Sequence, residues 1–192
     1  MTGQTRAIVH WRALDREGDD KCRLARADHG WLLVGHARFR DAAGFAALDY
    51  VVRCDADWHT FSADIAGLHG QRDVSLHLCR DQGIWRVNDT PQPGLDDAVD
   101  LGIAFTPATH LMPVKRLQAL DGVGIASRAA WLDYPARTLR PLDQVYSRTR
   151  AANVISYRAR QTGHETQLSL DSSGFVTLFP GLWDGEVIHA AG

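Results

Sequence analysis

Imidazole is the commonest metal ligand and the commonest acid–base group near neutral pH, so the nine histidines are weighed first. They stand at His10, His29, His36, His59, His69, His77, His110, His164 and His189. No HxH, no HExxH and no Cys/His pair at zinc spacing occurs among them. Strand ends could gather His59, His69 and His77, but scattered histidines of this kind more often cap strands or face solvent, and no metal is expected. Nucleophilic chemistry has no better marker. There is no GxSxG elbow, and Cys22, Cys54 and Cys79 lie in neither a CxxC nor a protease context. Gly122-Val123-Gly124 lacks the third glycine of a phosphate-cradling loop. Twenty aspartates offer many carboxylate pairs for glycoside hydrolysis, but no spacing selects one. No catalytic residue and no cofactor is assigned.

Binding chemistry leaves more traces. Arg137, Arg140, Arg148, Arg150, Arg158 and Arg160 fall within 24 residues whose one acid is Asp143. On strands, Arg148 and Arg150 share a face, as do Arg158 and Arg160, because side chains repeat every second residue. Such a comb suits an anionic head group. Paired with aspartates of neighbouring strands it is simply a solvated face, which is the plainer reading. Arg53, His77 and Gln144 interrupt apolar strand faces. In a filled core they would be costly, whereas in a β-lined cavity they would orient an apolar ligand. The tryptophans (Trp11, Trp31, Trp58, Trp85, Trp131, Trp183) fit either a core or a cavity wall.

These side chains have to be positioned by a β framework. With 192 residues, 45% of them hydrophobic, and a net charge of −2, the chain is long enough for a sizeable core. Nothing in that balance points to nucleic acid. Glu, Lys and Met are scarce while Asp and Gly abound, which disfavours helix. Apolar runs punctuated by turns predict strands at 7–14, 22–27, 31–39, 45–54, 58–68, 74–79, 84–87, 123–132, 145–149, 154–160, 167–170, 175–179 and 182–189. Asp171-Ser172-Ser173-Gly174 predicts a tight hairpin. No stretch of about 18 apolar residues occurs, so no transmembrane segment is expected. Residues 1–15 lack a signal-peptide core, and three cysteines cannot all pair within one chain. A reducing cytoplasm with three free thiols is expected.

Residues 88–120 break the pattern. Thr106 and Pro107 read as a helix start, and Leu111, Val114, Leu117 and Leu120 recur every three residues. Because Pro113 breaks a helix interior, the expected element is one turn followed by a helix of two to three turns from near Pro113. One short helix, about 107–120, is predicted for the whole chain.

The same segment carries a resemblance. Asp100-Leu101, the block from Thr106 to Leu117 (TPATHLMPVKRL), Gln144-Val145-Tyr146, Asp171-Ser172-Ser173-Gly174-Phe175-Val176 and Phe179-Pro180-Gly181-Leu182-Trp183 are similar, in order, to the signature of a bacterial glycolipid-binding family, formerly a domain of unknown function. Trp11 and Gly83-Ile84-Trp85 match its earlier marks. His110 replaces the usual Asn and Lys115 the first Arg. The resemblance implies a spiral β-roll, a long antiparallel sheet curled around a single helix. It also implies binding of a glycolipid, a function the family owes to its likeness to lipid-carrying β folds.

The expectation is therefore one mainly-β domain over residues 1–192, a non-enzymatic carrier for an amphipathic ligand. Arg53, His77, Trp85, Thr106, Thr109, Arg116, Trp131, Gln144, Tyr146 and Arg148 are the candidate ligand contacts. If the helix leaves the concave face open, an acyl chain fills it, and long-chain lipids stabilise the protein where short sugars do not. The alternatives are an enzyme acting on a small metabolite in that cavity and a protein-interaction module using the sheet edge. For the signature block two roles compete. Arg116 either presents its donors to a ligand or pairs with a buried acid such as Asp100, and the second is favoured.

Overall fold

The computed structural model describes residues 4–189. Seven strands form the first half as a meander: β1 (Gln4–Ala13), β2 (Gly18–Ala27), β3 (Gly30–Asp41), β4 (Gly44–Cys54), β5 (Thr60–His69), β6 (Arg72–Asp81) and β7 (Ile84–Val87). A two-residue edge strand, β8 (Thr90–Pro91), ends it. The chain then crosses to β9 (Asp100–Ile103), makes a 3-10 turn (Ala108–His110) and forms α1 (Leu111–Ala119). It returns through β10 (Gly124–Leu132), β11 (Leu139–Arg148), β12 (Val154–Ala159), β13 (His164–Leu170), β14 (Val176–Phe179) and β15 (Trp183–His189). All fifteen strands belong to one sheet in the order β8-β7-β6-β5-β4-β3-β2-β1-β15-β14-β13-β12-β11-β10-β9. Every pairing is antiparallel except β9 with β10.

The sheet is open but curls over itself. Its β9 edge meets the start of β5: Thr60 N–H donates to the Val99 carbonyl, and the Thr60 hydroxyl accepts from Leu101 N–H. Strands β6 to β8 run past that contact, which makes the roll a spiral. The mid-sheet seam joins β1 to β15, from opposite ends of the sequence. There Trp11 is fully buried and donates from Nε1 to the Val176 carbonyl at 2.6 Å. Its indole lies against Gly185, where a Cβ would come within 2.3 Å of the ring. The 171–174 hairpin forms as expected, with Gly174 at φ 92° and Asp171 Oδ1 accepting from Phe175 N–H.

Alternation decides which side faces in: Ala46, Leu48, Tyr50, Val52 and Cys54 of β4 point inward, while Phe45, Ala47 and Asp49 point out. The helix fills the concave side. Leu111, Met112, Val114 and Leu117 are all buried against the curled sheet. Two details differ from the sequence reading. The helix begins at Leu111, and Pro113 sits in its first turn, where a missing N–H costs nothing. Pro107, not Thr106, is the N-cap of the 3-10 turn, and the Thr106 hydroxyl accepts from Ala108 N–H one residue further in.

Candidate functional site

At the N-terminal end of α1, beside the 3-10 turn, the roll keeps a cavity of about 120 Å³. Strands β9 to β15 and the segment 104–110 contribute its lining. Its polar groups are mutually fixed. Gln144 Nε2 donates to Tyr157 Oη at 2.9 Å. His110 Nδ1 lies 2.7 Å from Tyr146 Oη, and His164 Nδ1 lies 2.8 Å from Thr162 Oγ1. Thr109 Oγ1 accepts from Ile103 N–H, so one hydroxyl closes the free edge of β9 and borders the cavity. Trp131, Phe179 and Trp183 supply apolar faces. No Asp, Glu, Lys or Arg side chain lines the cavity among the described residues.

Burial keeps His110, Tyr146 and Tyr157 neutral. Desolvation, helped by the nearby His164, pulls His110 down to about 4, so at neutral pH its ring is uncharged. Burial pushes Tyr157 up to about 12 and raises Tyr146 further, so both phenols keep their protons. Behind Thr106 lies a second buried cluster. Asp20 Oδ2 accepts from Tyr50 Oη at 2.8 Å and from the Thr106 hydroxyl, while Oδ1 has no partner among the described residues. Burial outweighs those hydrogen bonds and pushes the Asp20 carboxyl up to about 6. Tyr50 reaches it because Gly35 leaves room: a Cβ there would stand 2.1 Å from the Tyr50 ring.

Of the ten candidate contacts, the fold brings Thr106, Thr109, Trp131 and Gln144 to the cavity wall. Tyr146 stands directly behind His110. The other five lie elsewhere. Trp85 is wholly buried in the core and donates to the Ala98 carbonyl. Arg53 and His77 flank Asp64 on the outer face at 2.6 and 2.7 Å. Arg148 wraps the C-terminal end of α1, donating to the carbonyls of Leu117, Gln118 and Leu120.

Arg116 makes the expected ion pair. Its Nη1 is 2.8 Å from Asp100 Oδ1 and Nη2 contacts Oδ2; Asp100 is 1% exposed and Arg116 16%. Nη1 also donates to the Trp58 carbonyl, and Nη2 to Ser127 Oγ.

His110, Tyr157, Thr162 and His164 escaped the sequence reading. His110 was visible only as a departure from the signature, and the other three follow no motif. His69 forms a further chain, bridging Asp41 Oδ1 at 2.8 Å and Tyr134 Oη at 2.9 Å. Burial and the Asp41 charge raise the Tyr134 hydroxyl, the opposite of what a nucleophile needs, so the chain ties the 133–138 loop to the β3–β4 turn. Among the described residues no cluster of three or more His, Cys, Asp or Glu is placed to hold a metal.

The geometry defines a β-roll around one helix, with an aromatic-walled cavity at the helix entrance. Residues 8–185 match the family described as "Putative glycolipid-binding", and the chain belongs to that family. Among solved structures it is similar to a DUF1089 family protein from Pseudomonas aeruginosa, at 29% identity over 86% of this chain and 91% of that one, with a TM-score of 0.72. No curated protein sequence matches it. No helix among the described residues is long and apolar enough to cross a membrane.

Proposed function

We propose that the chain is a binding protein or carrier for an amphipathic ligand and holds the neutral, hydroxyl-rich head of that ligand, such as a glycolipid sugar, in the cavity. The observation that carries this reading is the lining: hydrogen-bonded amide, hydroxyl and imidazole groups beside aromatic faces, with no Asp, Glu, Lys or Arg among the described residues. A sugar offers hydroxyls to the former and C–H faces to the latter. Among the described residues no Lys or Arg side chain lines it to meet a phosphate or carboxylate. The family description supports the same ligand class. Hydrolysis of a glycoside ordinarily requires two carboxylates flanking the bond, and this lining supplies none, which favours binding over catalysis. At about 120 Å³ the cavity is well below the roughly 300–1,000 Å³ of a whole-ligand pocket, so it suits one head group. We infer a single domain over residues 1–192, because β1 and β15 adjoin in mid-sheet. A reducing cytoplasm fits three unpaired cysteines.

The test is calorimetric titration of maltose and decyl maltoside, below micelle formation, into wild type and Gln144→Ala. Both ligands should bind the wild type, the maltoside more tightly. Loss of the Gln144 amide should weaken both by about tenfold, the worth of one buried hydrogen bond. Unchanged affinities in the variant would refute the cavity as the head-group site.

A further inference from the structure

Of four further grooves on the roll, three mix cations with carboxylates: Arg12, Arg16, Glu17 and Asp19 in one, Arg128, Asp97 and Asp143 in another, Arg116 and Asp57 in the third. The fourth, of about 520 Å³, is of ligand size. Arg72 and Arg137 line it, and no Asp or Glu among the described residues does.

A fixed frame brings these two arginines together from distant parts of the chain. Gly70, at φ 62°, and Gln71 turn β5 into β6, so Arg72 is the direct cross-strand partner of His69 and leaves the same face of the sheet. His69 is 7% exposed and contacts Asp41 through Nε2 and Tyr134 through Nδ1. Tyr134 anchors the 133–138 loop, which carries Arg137. Arg137 Nη2 donates to the Asp73 carbonyl at 3.3 Å, one residue beyond Arg72.

The acids of this region leave both cations uncompensated. Asp41 pairs with His69 and Asp133 with Arg140. Asp73 follows Arg72 along β6 and so points to the opposite face. Two guanidinium groups converging without a counter-charge repel each other, and an anion between them relieves that cost. One arginine satisfies a carboxylate, which carries a single charge. A phosphate monoester carries up to two charges and three free oxygens, and it takes paired bonds from both arginines. The remaining volume, walled by Val74, Tyr134 and Pro135, leaves room for the organic part of the ester.

We propose that the groove between the β5–β6 turn and the 133–138 loop binds a phosphate monoester, free or as the head of a lipid, through Arg72 and Arg137. The groove shares no lining residue with the head-group cavity, so this site stands or falls independently of the sugar reading.

The test titrates phenyl phosphate and benzoate into wild type, Arg72→Gln and Arg137→Gln by calorimetry. Both arginines are exposed, so the variants should melt like wild type. Phenyl phosphate should bind the wild type more tightly than benzoate. Each substitution should weaken it by about tenfold or more, the worth of a charge-assisted hydrogen bond. Arg150→Gln removes the same charge outside the groove and should leave the affinity unchanged. Sedimentation with phosphatidylcholine vesicles containing phosphatidic acid identifies the source. Retention that both groove variants lose assigns the phosphate to a lipid, and loss confined to phenyl phosphate assigns it to a soluble ester. Absence of binding to either probe, equal affinity for benzoate, or binding that survives both substitutions would overturn the site.

Discussion

The two ends of α1 meet different chemistry. At its entrance, Thr109 and His110 border a small cavity whose hydroxyl, amide and imidazole groups are bonded to neighbours. At its exit, Arg116, Ala119 and Leu120 border a wider groove that Asp57 and His59 also line, and Arg116 is locked in its pair with Asp100. One helix thus runs from a small polar recess to a wider groove of mixed lining. Buried charge is tolerated at the exit because a guanidinium and a carboxylate match with two parallel bonds. At the entrance Asp20 has hydroxyl partners only, so burial raises its pKa instead.

The largest effects should come from the exit. Arg116→Ala and Asp100→Asn should each cost about 3–5 kcal/mol in urea denaturation, the usual result of orphaning one member of a buried pair. The double variant should cost less than the sum of the two. Additive losses would mean that the pair is not the unit holding α1.

At the entrance, pH separates two opposed groups. Asp20 titrates near 6 in the fold against an ordinary 3.8. The folded state therefore binds more protons between those values, and this contribution to stability, full below about 3.8, is lost as pH rises through 6. His110 titrates near 4 against 6.5, so the folded state binds fewer protons over that window and stability rises with pH there. In wild type the two trends offset each other. Asp20→Asn removes one of them, and stability should then climb by on the order of 3 kcal/mol between pH 4 and 6.5. A flat profile for the variant, measured by denaturation at several pH values, would contradict the assignment of both groups.

Arg148→Ala should cost only about 1 kcal/mol, because the carbonyls it caps can turn to water at an exposed helix end. A loss comparable to that of Arg116→Ala would show that the exit is held by capping rather than by the ion pair. The smallest effect concerns the thiols. Cys22 and Cys54 are buried, and burial pushes Cys54 up to about 12, whereas Cys79 is partly exposed. One equivalent of thiol reagent should label Cys79 alone without changing the melting temperature, and all three should react after unfolding.

The β framework was legible because it is local: period-two alternation and turn residues mark strands wherever one face is buried. Two stretches escaped for physical reasons. Asp100–Ile103 is buried along its whole length, so β9 shows no alternation. The first half of β11 contains Pro141, which is tolerated because β12 pairs only from Gln144 onward.

What the sequence determined by itself was the strand and turn pattern, the one short helix and the Arg116–Asp100 pair, each specified by neighbouring residues or a contiguous signature. Only the tertiary structure decided that Thr106, Thr109, Trp131 and Gln144 share a cavity with His110, Tyr157 and His164, and that Trp85, Arg53 and His77 lie elsewhere. Tyr157 and Gln144 belong to different strands, and their meeting depends on register and curl, which no local pattern of side chains encodes.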